Sequence, residues 1–277
     1  MRTHLIAPLL ALAFALLPAT AGADDSAALP GSARLPTASG SGWNGEGQLG
    51  LAATTGNTRS QSLNAGLKFS YEDSEWKDTF DFSALRSRGE VSTATVVNGQ
   101  PVTLNRFAVT ANRYTFDAAS GLKLDDRNAL FSDLRYDHDD FSPYRYQTVA
   151  SVGYDLAVIK TPATELAFEV GPGYKRYREA GTSQDRGALI GRGLLAFRQQ
   201  LTASTRIEDH LLIEAASFNT FTQNDANLVV DMNKRLALKI GYQARHNSNI
   251  GAAIASGAAT GNAKTDTLLT TNLVYNF

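Results

Sequence analysis

From Trp43 to Phe277 the chain alternates between apolar and polar residues with a period of two. No other feature restricts the fold as strongly. In "QSLNAGLKFSYE", residues 61–72, one series holds Leu63, Ala65, Leu67, Phe69 and Tyr71, and the other Ser62, Asn64, Gly66, Lys68, Ser70 and Glu72. A helix, turning every 3.6 residues or so, would scatter both series around its circumference, whereas a strand sorts them onto two faces. "LALKIGYQAR", 236–245, repeats the pattern, with Leu236, Leu238, Ile240, Tyr242 and Ala244 opposed to Ala237, Lys239, Gly241, Gln243 and Arg245. Twelve such segments are expected: 43–54, 61–72, 75–87, 104–117, 127–137, 144–158, 164–178, 187–200, 204–217, 225–232, 235–245 and 264–277. In segment eight either face could be apolar, and in segment nine Leu211 and Leu212 are adjacent, so these two are less clean.

The connections are asymmetric. Short links, "DSE", "KTPAT", "LTA" and "NK", follow even-numbered segments, while the longest, "RGEVSTATVVNGQPVT" (88–103) and "HNSNIGAAIASGAATGNAK" (246–264), follow the third and eleventh. "AASGLKLDD", 118–126, is long for its side. Short turns at one end and long loops at the other are expected of an all-β, antiparallel transmembrane β-barrel, here of about twelve strands.

Composition narrows the setting. The absence of cysteine excludes a disulfide scaffold, a thiol nucleophile, a thiolate metal site and an acylated cysteine anchor. A net charge of −1 gives no basic stripe, and no nucleic-acid partner is expected. Arg2, an apolar run from Leu5 to Leu17 and small residues at Ala19, Ala21 and Ala23 predict a signal peptide over 1–23, since the run is too short to span a bilayer. Residues 24–42, rich in Ala, Ser, Gly and Pro, read as a flexible periplasmic linker, and 43–277 as the barrel.

Alternation alone does not tell inside from outside. Three features point to lipid outside. Bulky charged side chains fill the polar series, as suits a wet lumen. Aromatics gather at segment ends: Trp43, Tyr71, Trp76 and Phe277 for the periplasmic girdle, and Phe107, Tyr144, Tyr146 and Tyr177 for the outer one. The last segment, "LLTTNLVYNF", alternates to a terminal aromatic. Its Leu269, Leu273, Tyr275 and Phe277 look like the signal read by the barrel-assembly machinery, and the expected location is the cell outer membrane.

Four stretches carry a family resemblance: "GLAATTGNTRSQSLNAGLKFSYE" (50–72), "VGYDLAVIKTPATELAFEVGPGYKRYRE" (152–179), "NKRLALKIGYQARHNSN" (233–249) and "TDTLLTTNLVYNF" (265–277). They resemble the YdiY-like family, a domain of unknown function described as a salt-induced outer-membrane protein. The resemblance implies an outer-membrane barrel and brings no catalytic motif with it.

Candidate sites come from the polar series. Glu46, Lys68, Lys77, Asp81, Glu169, Lys175, Glu208, His210, Glu214, Lys239, Arg245 and Asp266 are expected to line the lumen. They could set the ion preference of a pore or pair with one another to fill it. Barrels of about eight strands are filled and those of about sixteen are channels, so twelve leaves both open. "YDHDDFSP", 136–143, places Asp137, His138, Asp139 and Asp140 on an expected external loop that could hold calcium against lipopolysaccharide phosphates, without the spacing of an EF-hand. His246 with Asn247 and Ser248 is the nearest approach to a hydrolytic group, but no nucleophile motif surrounds it, so no enzyme, cofactor or metal is assigned. Gly56 and Asn57 suit a tight turn. The functional expectation is a narrow passive pore or envelope component linked to salt or osmotic stress. The alternative is a plugged structural barrel binding lipopolysaccharide or a partner through its loops, with a lipid-modifying enzyme third.

Overall fold

A computed structural model describes residues 42–54, 59–97, 100–250 and 264–277. The signal peptide, nearly all of the linker, the Gly56–Asn57 turn and residues 251–263 of the last loop lie outside the described residues. Twelve strands form: β1 (Gly42–Thr54), β2 (Ser60–Glu72), β3 (Trp76–Val97), β4 (Gln100–Lys123), β5 (Asn128–Asp139), β6 (Tyr144–Lys160), β7 (Thr164–Glu179), β8 (Asp185–Thr202), β9 (Thr205–Ala215), β10 (Thr220–Asp231), β11 (Leu236–Asn247) and β12 (Thr265–Asn276). Each pairs antiparallel with its chain neighbours, and β1 also pairs with β12, which closes the barrel. At that seam only Glu46–Leu49 and Leu273–Asn276 are in register, and Gly45 and Phe277 exchange two backbone hydrogen bonds of 2.9 Å. Phe277 lies against Gly45, where any Cβ would run into its ring.

Cross-strand register carries one face from β1 round to β7. Glu46 stands opposite Lys68, Lys68 opposite Asp81, Asp81 opposite Asp117, Asp117 opposite Arg135, Arg135 opposite Val149 and Val149 opposite Lys175. This face is buried and largely charged. The other face is apolar and bare: Leu51, Val170, Leu189 and Leu269 are 73, 65, 79 and 71% exposed. The polarity is that of a globular protein turned inside out. Water would penalise such an exterior, whereas hydrocarbon matches it, and a closed ladder leaves no backbone edge unpaired in lipid.

Two expected loops are strand. Residues 88–97 and 100–103 continue β3 and β4 as a ribbon paired to Val97 and Gln100, past a bulge between Ser87 and Arg88. The Ser, Thr, Gly and Pro content suggested a loop, but Val91, Thr93, Thr95, Val96 and Val97 are β-branched, and they favour strand. Residues 118–123 extend β4 to Lys123, so the link that seemed long for its side is another tight turn.

The short turns share one device, a side-chain oxygen that accepts backbone N–H groups ahead of it. Asp73 Oδ1 accepts from Glu75 and Trp76 at 2.8 and 2.7 Å, and Asp125 Oδ1 from Arg127 and Asn128 at 2.8 and 2.9 Å. Thr161 Oγ1 accepts from Thr164 at 2.9 Å, and Asn233 Oδ1 from Arg235 and Leu236 at 2.9 and 3.0 Å. These side chains mimic a backbone turn and close a hairpin in few residues.

Aromatic belts sit at both ends of the apolar surface. At the short-turn end Trp43 packs on Tyr71 at 5.2 Å and Phe69 on Phe277 at 5.9 Å, with Trp76 and Tyr275 alongside. At the opposite end Tyr114, Tyr136 and Tyr146 form a row with centroids 6.0 and 6.3 Å apart. Of the four aromatics expected in the outer girdle, Tyr146 is there. Tyr144 and Tyr177 instead point into the barrel and are buried: the register shift between Tyr144 and Tyr146 turns Tyr144 inward, and Tyr177 follows the inward series of Lys175 on β7. Phe107 lies beyond the row, on the ribbon.

Candidate functional site

The lumen is the candidate site, and strand alternation builds it. All twelve predicted lumen residues fall on the inward face. Asp266, opposite Arg245, sits exposed at the mouth, while Lys68, Lys77, Glu169, Lys175, Glu208, His210, Glu214, Lys239 and Arg245 are buried. Glu214, with 0% exposure, accepts from Arg135 and pairs with Lys175 at 2.5 Å. Arg192 pairs with Glu169 at 2.5 Å and approaches Asp133 at 3.8 Å. Arg206 joins Glu208 at 2.8 Å and Asp231 at 2.9 Å, and Glu72 holds Lys123 at 2.6 Å and Lys77 at 3.6 Å. Arg245 bonds Asp137 and reaches Asp139 at 3.5 Å. Phe221, fully buried, lies beneath Arg135, Lys175 and Arg245, each 5.2–5.4 Å from its ring centroid. A buried charge is tolerable only when paired and hydrogen-bonded, and most of these charges meet that condition in separate clusters around Glu214, Arg192, Arg206 and Glu72.

Two apolar patches line the short-turn end inside, Ala157, Ala167 and Ala196 in one and Val229, Ala237 and Val274 in the other. At the opposite end Phe218, in the β9–β10 link, stacks on Tyr177 at 4.1 Å and meets Tyr144 edge-on at 5.9 Å. Tyr144 donates to the Asn249 carbonyl at 3.2 Å, so this aromatic cap is tied to the start of the last loop. Between the ends a cavity of about 210 Å³ remains. Arg113, Asp81, Asp117, Asp225, Lys239 and Asn272 line it. That volume holds several waters at about 30 Å³ each, and its polar walls suit them. Buried Lys68 Nζ, Gln48 Oε1 and Asn272 Oδ1 find no hydrogen-bond partner among the described residues.

Several expectations are redistributed. Asp137, His138 and Asp139 are not on a loop: they end β5, where alternation sends Asp137 and Asp139 in to Arg245 and His138 out to stack on Tyr114 at 4.7 Å. Asp140 accepts from Asn112 at 2.6 Å. The four therefore do not converge, and no group of three or more His, Asp or Glu does so among the described residues. Ser248 donates to Asn219 at 3.1 Å and accepts from Thr220 N at 2.7 Å, whereas His246 lies 2.9 Å from Thr265 Oγ1, so the two are engaged with different partners. Sequence reasoning missed Arg135, Asp117, Arg192 and Arg206, although each lies on the inward series of its strand. Counting by twos back from Glu214 reaches Arg206, whereas β4, β5 and β8 held no assigned lumen residue to count from.

The model of the family described as "Protein of unknown function, DUF481" matches residues 47–277. The chain belongs to that family. The DUF481 description assigns no activity, and it carries neither the YdiY-like label nor a link to salt. No curated protein matches the sequence. Among solved structures this DUF481 chain is similar to the porin NanC, over 85% of its length and 98% of that chain, at 13% identity and a TM-score of 0.44. The translocator domain of the autotransporter NalP from Neisseria meningitidis is similar over 87% and 89%, at 12% identity and 0.44. The KdgM porin is similar over 85% and 99%, at 11% and 0.41. Scores this low carry no functional weight.

Proposed function

We propose that this protein is an outer-membrane barrel shut in its resting state, an envelope component with an ion-paired core rather than an open pore. One observation carries the reading: outside the central cavity and the mouth, the ion-paired charges facing the lumen are buried. Glu214, Lys175, Glu169 and Glu208 are 0, 2, 3 and 3% exposed, whereas the wall of an open channel would be wet. The bare apolar exterior between two aromatic belts supports the membrane setting. Swelling of vesicles that contain the folded protein tests the closed state. Swelling in small sugars no faster than empty vesicles supports it, and rapid swelling counts against it.

The central cavity favours a second reading, a narrow pore that opens when the network rearranges. Charge reversal at Lys175 or Arg245 would then alter ion preference, and in a permanently filled barrel it would only weaken the fold. The salt-linked expression implied by the YdiY-like resemblance belongs to this proposal too, tested by the protein's level in outer membranes of cells grown with and without added sodium chloride. So does the terminal address: deleting Phe277 should lower the amount assembled in the outer membrane, since it removes both seam bonds to Gly45.

A further inference from the structure

Beyond the outer aromatic row, on the lipid-facing side of β2 and β3, three arginines stand together. Arg59 and Arg88 both lie over one ring, that of Phe107, at 4.8 and 5.3 Å from its centroid. Arg86 shares the face of Arg88 one alternation nearer the row. All three are exposed, and none forms an ion pair among the described residues. Glu90 lies two residues along from Arg88 on the same face of β3, and its backbone N–H donates to the Arg59 carbonyl at 3.1 Å.

The opposite flank shows that this is not a general property of the rim. There Arg176 and Arg178 are matched by Asp185 at 2.6 and 2.7 Å, and Arg186 by Glu179 at 3.3 Å. Outward arginines on β7 and β8 are held in ion pairs, whereas Arg59, Arg86 and Arg88 form none among the described residues.

Depth decides what the cluster meets. Tyr114, in the outer row, stands opposite Ala84, so Arg86 and Arg88 lie two and four residues further out on β3. At about 3.3 Å per residue that is roughly 7 and 13 Å along the strand, the headgroup layer above the acyl chains. Below them on the same face Phe82 and Phe80 continue the apolar belt. Guanidinium forks match phosphate oxygens bidentately, and the shared ring holds two of the forks in place before a ligand arrives.

We propose that Arg59, Arg86 and Arg88, braced by Phe107, form a binding site for the phosphate of an outer-leaflet phosphorylated glycolipid, whose acyl chains lie on the Phe80–Phe82 surface. The proposal rests on the membrane setting proposed above, and its test separates the two. Full-length protein, shown to be folded by its heat-dependent gel mobility, is titrated in detergent with bisphosphorylated lipid A, with enzymatically dephosphorylated lipid A and with inorganic phosphate. The expected result is saturable binding of the phosphorylated lipid only. A variant combining Arg59→Gln, Arg86→Gln and Arg88→Gln should bind about tenfold or more weakly, because it removes every guanidinium fork that meets the phosphate. A control with Arg176→Gln and Arg178→Gln should match the wild type. Equal affinity of the triple variant and the wild type overturns the site, as does equal affinity for the dephosphorylated lipid. Binding of inorganic phosphate as tight as that of the lipid makes it an anion site and overturns the lipid assignment. If the triple variant loses its heat-dependent mobility, Arg88→Gln alone serves, with a smaller loss expected and wild-type affinity again the contrary result. A protein without heat-dependent mobility at all would instead sink the barrel reading.

Discussion

Glu214 is the residue on which the lumen turns. It is fully buried and neutralises Arg135 and Lys175 together. Glu214→Gln would leave two cations in the core without their shared anion, and breaking a buried pair in this way costs about 3–5 kcal/mol. The folded fraction on a gel, followed through a urea series in lipid vesicles, should show that loss. Glu214→Met combined with Lys175→Met should lose less, because the double change removes one of the stranded charges. The turn aspartates give a second prediction at this scale. Backbone N–H groups, from Trp76 in one turn and Arg127 in the other, hold the Asp73 and Asp125 carboxyls below the usual range. A lowered folded pKa means that their contribution is complete above the unfolded value of about 3.9 and drains as pH falls through the folded one. A variant with Asp73→Ala and Asp125→Ala should therefore unfold more readily than the wild type at pH 7. The gap should narrow as the pH drops below about 4. A gap that is the same at both pH values would mean that the carboxylate charge is irrelevant to these turns.

Elements show why part of the fold was legible and part was not. β2 and β11 could be read directly, because their polar and apolar series never cross. The β3–β4 ribbon could not, because a strand with no lipid and no lumen beside it has no reason to alternate polarity, and its Ser and Thr imitate a loop. β5 failed differently: Asp137, His138 and Asp139 look like an acidic cluster in a string of letters, yet the pleat sends them to opposite faces. Tyr144 was misplaced because a bulge shifts the phase, and no residue type announces that shift. β6 and β7 hold a further constraint. A Cβ on Gly171 would strike the Val152 carbonyl, and one on Gly153 would meet Val170 O and Phe131. The two strands approach too closely here for side chains, and Arg192 covers Phe131 from within at 5.1 Å. Gly171→Val should cost about 1–3 kcal/mol by overpacking, read in the same urea series. Val170→Ala, one position away on the exposed face, should cost much less.

For the whole molecule, alternation and turn asymmetry were enough to give twelve strands and their order. Whether the lumen is open was not in the sequence, because the same charged series suits a wet pore or a paired core. Pairing depends on which strands face each other across the barrel. Arg135 meets Glu214 over a separation of 79 residues, and Arg245 meets Asp137 over 108. Those contacts, the aromatic cap at one end and the aliphatic patches at the other support the proposal of a barrel closed at rest. The measurement that tests this most directly is single-channel recording of the folded protein in a planar bilayer, with folding confirmed by heat-dependent gel mobility. The closed-lumen account predicts a silent membrane at modest voltage, and discrete, reproducible conductance steps from the wild-type protein would contradict it.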